Sequence, residues 1–287
     1  VVSTRHQVPY HETAAYLNRT ETQENKKKSM TTLDRFRLNG RCALVTGATS
    51  GLGREIALAL GEAGAHLIIN GRNTDRLAEA RKELLRSIKL VDTAVGDLGT
   101  RNGAEDFCQR ILQSGHQVDV LVNAVGGRFP LETQEADLSE WQHTIDLNLT
   151  SAIVTCRILG EPMRERGKGS IINVASIAGL IVNKGAAGRA YETAKAGLLG
   201  LTRSLAADWA PEGVRVNAIV PGGFLTDRIR SRFKGDPAWE KTFLEQIPMG
   251  RLGRPAEIGP LALFLAADAS SYMTGAALVI DGGYTLW

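Results

Sequence analysis

Tyr191 and Lys195 stand four residues apart in a stretch, 190–210, whose apolar residues recur with helical spacing. Side chains at i and i+4 share one helix face, so the phenol and the ammonium can point into one cleft. A free phenol titrates near pH ~10 and is a poor base at neutral pH. A neighbouring cation favours the phenolate and brings it into range for acid–base work on a carbonyl or alcohol oxygen. Such pairs also arise by chance on helices, so the reading needs company. Ser176 follows the apolar run 170–175 and supplies a hydroxyl that could donate to the same oxygen, an oxyanion-type arrangement with Tyr191.

A second chemistry-bearing segment lies far upstream. Thr46-Gly47-Ala48-Thr49-Ser50-Gly51-Leu52-Gly53 follows the first apolar run and opens a helical pattern. Gly47 permits a tight turn, Gly51 lets the backbone approach a pyrophosphate, and Gly53 lets helix and strand pack closely. The helix start then offers free N–H groups and a partial positive charge to a phosphate. The plain alternative is a glycine-rich turn without a ligand.

The elements that must position these residues are legible as alternation. Runs at 41–46, 66–70, 90–95, 119–123, 170–175, 214–220 and 277–281 are short and rich in Val and Ile, as strands buried on both faces are. Helical patterns at 52–62, 75–87, 101–114, 139–166, 190–210, 237–246 and 255–267 lie between them. Thr74 is the expected N-cap of the second. This predicts an α/β fold: a single Rossmann-type domain over residues 31–287, with a doubly wound, seven-stranded parallel sheet and helices on both faces. Ligands of such sheets bind beyond the carboxyl ends of the strands. Residues 1–30 are polar and lack a hydrophobic period; they read as a disordered leader, with Met30 as the natural start.

The T-G-x-x-x-G-x-G turn resembles that of the short-chain dehydrogenase/reductase family, and other family marks occur in order. The resemblance covers residues 38–287. It implies that Asn148 joins Ser176, Tyr191 and Lys195 as a catalytic set, with Asn148 sustaining a local helix distortion and a proton-relaying water. It implies cofactor contacts from Gly47, Thr49, Ser50, Gly51, Leu52 and Gly53, and from Asp97 and Leu98 after the third strand. Asp97 could equally cap a turn. Asn123 and Gly126 match the family's N-N-A-G, from which Ala124 and Val125 depart; Arg128 would lie near the cleft mouth. Tyr191 and Lys195 would hold the ribose. Pro221, Gly222 and Thr226 resemble the segment that carries the nicotinamide.

Where NAD binders of this fold place an acid after the second strand, this chain has Gly71 followed by Arg72. No acid repels a 2′-phosphate there and an Arg fork can pair with it, which favours NADP(H) over NAD(H); the alternative is a solvated loop Arg. The spacing from Ser176 to Tyr191 exceeds the family's usual one, and loop 183–188 would absorb the excess beside the substrate. Residues 223–250 are expected to form a variable substrate lid.

By overall similarity the C-terminal half resembles sugar-acid dehydrogenases of the gluconate 5-dehydrogenase kind, with 3-oxoacyl-acyl-carrier-protein reductase as runner-up. A carboxylate substrate wants basic groups near the cleft, and Arg128, Lys184 and Arg189 are candidates. A cofactor-binding regulator without turnover would be expected to lose Tyr191 or Lys195, and both are present.

Composition narrows the partners. Net charge is +3, of which residues 1–30 contribute +2, so the folded part carries no basic excess for nucleic acid. No apolar run approaches the roughly 18–20 residues of a membrane span. Cys42, Cys108 and Cys156 are odd in number and lack C-x-x-C spacing, which suits reduced thiols in a cytoplasmic compartment. Cys42 and Cys156 read as packing residues, and no metal is expected. Apolar residues on 139–166 (Ile145, Leu149, Ile153, Leu159) and on 190–210 (Leu198, Leu199, Leu201, Leu205), with the C-terminal Trp287, exceed what one sheet face can cover. They predict a homo-oligomer, expected as a homotetramer.

Overall fold

The computed structural model describes residues 30–128, 137–182 and 189–287. The chain divides into two compact units, Val1–Arg35 and Phe36–Trp287. In the first, Thr31 and Asp34 bond reciprocally: the Thr31 hydroxyl donates to Asp34 Oδ2 at 2.7 Å and the Asp34 N–H donates back at 3.2 Å.

In the second unit, β1 (Cys42–Val45), β2 (His66–Gly71), β3 (Val91–Val95), β4 (Val120–Asn123), β5 (Gly169–Val174), β6 (Val214–Pro221) and β7 (Ala277–Ile280) form one sheet. Its order is β3-β2-β1-β4-β5-β6-β7 and every pairing is parallel. The expected seven-stranded Rossmann-type sheet is therefore present. β1 and β4, at the centre, are buried at every position, whereas β3 and β7 alternate between buried or half-buried and exposed residues. Uniform burial was expected of all seven. The edge strands differ because each has a neighbour on one side only.

Helices α1 (Gly51–Glu62), α2 (Thr74–Leu84) and α3 (Arg101–Gln113) follow the first three strands, and α4 (Leu138–Ile145) and α5 (Ser151–Glu165) lie between β4 and β5. α6 (Arg189–Trp209) precedes β6; α7 (Asp227–Gly235), α8 (Pro237–Glu245) and α9 (Gly259–Ala266) lie between β6 and β7. One core, with Ile56, Leu60, Leu77, Ala262 and Leu265, covers one sheet face under α1, α2 and α9. A second, with Phe107, Ile111, Cys156, Leu159 and Trp209, covers the opposite face under α3, α5 and α6, and a third, with Leu198, Val220, Phe233 and Tyr284, joins α6 and β6 to α7 and the C-terminal turn. The chain leaves β1 toward β2 and β3, then returns to β4 on the other side. That reversal opens a crevice at the carboxyl ends of β1 and β4.

Several local expectations need correction. The single helix over 139–166 breaks into α4, a π turn at Asp146–Thr150, and α5. Asn148 Nδ2 donates to the Thr144 carbonyl at 3.0 Å and to Gly127 O at 2.9 Å, tying the turn to the loop after β4. The cap of α2 is Asn73, not Thr74: Asn73 Oδ1 accepts from the Arg76 N–H at 2.9 Å. The last helical pattern divides into a 3-10 turn, Pro255–Ile258, and α9. Region 223–250, expected as a variable lid, contains α7 in addition to the helix expected over 237–246. Finally, Leu159, Leu198 and Leu199 are buried in the chain's own core, so less apolar surface remains on α5 and α6 than expected. Ile153, Val279, Leu286 and Trp287 are exposed.

Candidate active site

The turn from β1 into α1 is built from backbone. Gly47 has φ +64° and Gly51 φ +57°, a left-handed conformation that suits glycine. A Cβ on Gly53 would lie 2.4 Å from the Gly47 carbonyl oxygen, so helix and turn touch at a distance only glycine permits. Over Gly51 there is space: the nearest group to a Cβ would be the Thr226 methyl at 3.7 Å. Ser50 caps α1 without a side-chain bond, which leaves the first N–H groups of the helix for an external acceptor. Thr226, likewise the N-cap of α7 and without a side-chain cap bond, faces this turn. The first and sixth strands thus deliver Gly51 and Thr226 side by side.

Two buried residues that the sequence reading did not single out hold the turn. Thr46 Oγ1 donates to Val122 O at 3.2 Å and accepts from the N–H groups of Ala124 (3.1 Å) and Val125 (3.3 Å). Asn70 accepts from Gly47 N at 3.3 Å and donates to the Ala94 and Gly96 carbonyls at 3.0 and 3.1 Å. Their signal is an uncharged polar residue ending an otherwise apolar strand. Such a group needs partners when buried.

Across the cleft, Lys195 is buried and its Nζ donates to Val174 O at 2.9 Å. Burial alone pushes this ammonium down to about 8. Nζ lies 5.7 Å from the centre of the Tyr191 ring. A Cβ on Gly126 would fall 2.7 Å from Asn148 Oδ1 and 3.1 Å from Lys195 Nζ, so Gly126, Asn148 and Lys195 converge. Asn148 is itself buried, and its side-chain Oδ1 accepts from Gly127 N at 2.9 Å. Ser176 follows β5, its Oγ accepting from Ala178 N at 3.1 Å. A Cβ on Gly179 would meet the Lys195 carbonyl carbon at 2.7 Å, so this turn seats directly against α6. The fold thus brings Asn148, Tyr191 and Lys195 together and seats the turn that follows Ser176 against α6.

Arginines crowd the mouth. Arg128 stacks over the Tyr191 ring, 4.9 Å from its centre, and pairs with Glu192 at 2.6 Å. The Arg228 guanidinium rests against Gly127, where a Cβ would lie 2.7 Å from Nη1. Arg232 lies over Trp239 at 3.8 Å. Burial, then the charges of Arg128 and Arg228, lower the Arg232 pKa against a partial offset from Asp236. Arg232 thus senses the charges of Arg128, which stacks on Tyr191, and of Arg228. Arg228 and Arg232 were missed because α7 is mostly charged; its Ile229–Phe233 pair at i, i+4 was the available signal. Arg189 is exposed at the start of α6, and Lys184 with loop 183–188 lies outside the described residues.

Other expected cofactor residues have side chains committed elsewhere. Asn123 is bound to Asn173 (2.9 Å), Cys156 (3.3 Å) and Thr155 (2.7 Å), a brace across the central strands. Asp97 Oδ1 accepts from Gly99 N at 2.9 Å, the turn-capping alternative. Leu98 is buried beside Phe107. Leu52 is half-buried against the core under α1. Pro221 ends β6, and Gly222 donates to Ile280 O at 3.0 Å. A Cβ on Gly71 would strike the Thr49 methyl at 2.4 Å, while Arg72 beside it is exposed. Burial pushes all three cysteine thiols up to about 12, so none is a ready nucleophile. No helix among the described residues is long and apolar enough to cross a membrane.

Comparison with known proteins agrees with this geometry. A family model described as enoyl-(acyl carrier protein) reductase matches residues 47–285. A galactitol 2-dehydrogenase (L-tagatose-forming) from Cereibacter sphaeroides is 38% identical over 88% of this chain and 98% of its own length. A 3-oxoacyl-acyl-carrier-protein reductase from Chlamydia pneumoniae is 36% identical over 86% of this chain and 98% of its own. The solved gluconate 5-dehydrogenase of Burkholderia cenocepacia, in complex with NADP and tartrate, superposes with a TM-score of 0.81 at 32% identity, covering 90% of this chain and 100% of that one. With the glycine turn, the parallel sheet and a match running through nearly the whole folded unit, the chain belongs to the short-chain dehydrogenase/reductase family of oxidoreductases.

Proposed function

We propose that this chain is an NADP(H)-dependent dehydrogenase/reductase acting on a ketone or secondary alcohol of a small carboxylated, sugar-like compound. The observation that carries the reading is the buried Lys195 ammonium, held by Val174 O with no carboxylate partner among the described residues, 5.7 Å from the centre of the Tyr191 ring. In this reading Tyr191 transfers the proton to or from the substrate oxygen, and Ser176 donates to the same oxygen. Lys195 stabilises the phenolate and holds the ribose, and Asn148 sustains the relay that resupplies the proton. The nicotinamide, when bound, supplies or accepts the hydride.

The residues present fit such a cofactor. The open space over Gly51 and the unused N–H groups of α1 suit a pyrophosphate. Thr49 leaves no room for an acid at position 71. Arg72 is free to meet a 2′-phosphate, since it has no ion pair among the described residues, and this supports NADP(H) over NAD(H). Exposed Ile153, Val279, Leu286 and Trp287 support a homotetramer.

The carboxylate follows from Arg128, Arg228 and Arg232. Glu192 offsets the first, which leaves positive charge at the mouth for an anionic substrate group. The solved relative that holds tartrate, a hydroxylated carboxylate, is in keeping with this. Arg228→Ala tests it: the Michaelis constant for a keto sugar acid should rise about tenfold, with that for a neutral keto sugar unchanged. An equal effect on both substrates would refute the anionic class. The rival reading, a 3-oxoacyl-acyl-carrier-protein reductase, is favoured by the identity to the Chlamydia pneumoniae enzyme.

A further inference from the structure

At the amino-terminal rim of the sheet, the end away from the cleft, three metal-ligating side chains converge that the mechanism does not use. Cys42 and His66 are register partners at the starts of β1 and β2. His116 comes from the turn between α3 and β4. One ligand atom from each lies within 4.8 Å of the other two, and no other group of three such residues does so among the described residues. The two imidazoles meet edge to face, 5.3 Å between centres and 77° between planes. Asp92, on β3, places one oxygen 2.7 Å from His66 Nε2 and 3.5 Å from His116 Nε2. Asp119 Oδ2 accepts from the Cys42 backbone N–H at 2.9 Å.

We propose that Cys42, His66 and His116 bind a divalent transition-metal ion, with Zn²⁺ as the favoured occupant, and that Asp92 orients the two imidazoles. One thiolate with two imidazoles is a soft donor set that suits Zn²⁺, whereas Mg²⁺ and Ca²⁺ want oxygen ligands. A carboxylate against the ring of a ligating histidine is the usual outer-shell partner. Ligand atoms held at roughly 2.0–2.3 Å from one tetrahedral Zn²⁺ stand about 3.3–3.6 Å apart, so separations within 4.8 Å need closing by about an ångström. The histidine side chains are 28% and 31% exposed, which leaves them room to move. A cavity of about 660 Å³ between β3 and α3, lined by Asp92, Phe107 and His116 among others, gives the ion a way in. On binding, the Cys42 thiol loses its proton to solvent and no electron changes hands. The ion would tie β1, β2 and the α3–β4 turn together.

The test uses the full chain, stripped with a chelator and titrated with Co²⁺ and then Zn²⁺. The expected result is one ion per chain, a thiolate-to-cobalt charge-transfer band in the near ultraviolet that Zn²⁺ abolishes, and a higher thermal midpoint with Zn²⁺. Cys42→Ser should remove the band, and Asp92→Asn should weaken binding by about 10–100-fold. His116→Ala lies in a turn, so it keeps the sheet intact and decides the matter if Cys42→Ser does not fold; it should weaken binding at least as much as Asp92→Asn. NADPH-linked turnover should be unchanged in His116→Ala. Absence of the band in the unmodified protein, or Zn²⁺ affinity undiminished in His116→Ala, would overturn the site and leave Asp92 and His66 as a simple hydrogen-bonded pair.

Discussion

The proposed phosphate cradle, the turn after β1, and the proposed catalytic set beyond β4 and β5 are made of different materials. The turn works through backbone: Gly47, Gly51 and Gly53 supply conformations and close approaches that side chains would forbid. The catalytic set works through side chains, brought by α6, the turn after β5 and the π turn between α4 and α5. A backbone site should respond to added atoms and tolerate loss of function groups nearby. A side-chain site should respond to a single removed atom while its fold persists.

The largest contrast is expected at Tyr191. Tyr191→Phe deletes one hydroxyl and keeps the ring under Arg128. Turnover should fall by about 10²–10⁴-fold, with NADPH affinity measured by fluorescence titration little changed. Near-full turnover would break the distinction at its centre.

Lys195 sharpens the contrast, because its chemistry comes at a stability cost. Its folded-state pKa, about 8, lies below the ordinary 10.5. Between those values the unfolded chain holds a proton that the folded chain does not, so stability rises with pH across that window. Below it, burying the charge costs about 3 kcal/mol. Lys195→Met removes that cost but also loses the bond to Val174 O, worth about 1 kcal/mol. In urea unfolding without cofactor, the variant should be about 2 kcal/mol more stable at pH 7, with the advantage gone near pH ~10.5. A variant less stable at pH 7 would mean that the ammonium is held by more than one carbonyl.

On the backbone side, Gly53→Ala adds a single carbon 2.4 Å from Gly47 O. It should destabilise the fold by about 1–3 kcal/mol and weaken NADPH binding, whereas Gly53 carries no group that reacts. Full stability by thermal unfolding would show that the turn can relax.

The same contrast explains what could be read beforehand. The glycine turn is local: three glycines in fixed spacing after an apolar strand carry it, and the positive φ of Gly47 and the close approach at Gly53 answer to two of them. The sheet was equally legible, because buried parallel strands leave uninterrupted apolar runs; the half-exposed β3 and β7 were the exceptions. The apolar pattern alone runs through the π turn as continuous helix; only the resemblance implies a distortion at Asn148, because Asn148 is fixed by Gly127, twenty-one positions away. Arg228 and Arg232 were invisible because α7 has only two apolar residues at helical spacing, Ile229 and Phe233. Cys42, His66 and His116 become neighbours only through strand register and a turn, which no spacing along the chain encodes.

One measurement addresses the central claim most directly: initial rates of the unmodified protein with NADPH and with NADH, each offered a keto sugar acid, its neutral keto-sugar counterpart and a 3-oxoacyl thioester. The account predicts the highest kcat/KM for the keto sugar acid with NADPH, and a preference for NADPH over NADH of about tenfold or more. A higher kcat/KM for the thioester or the neutral sugar, or a preference for NADH, would contradict it.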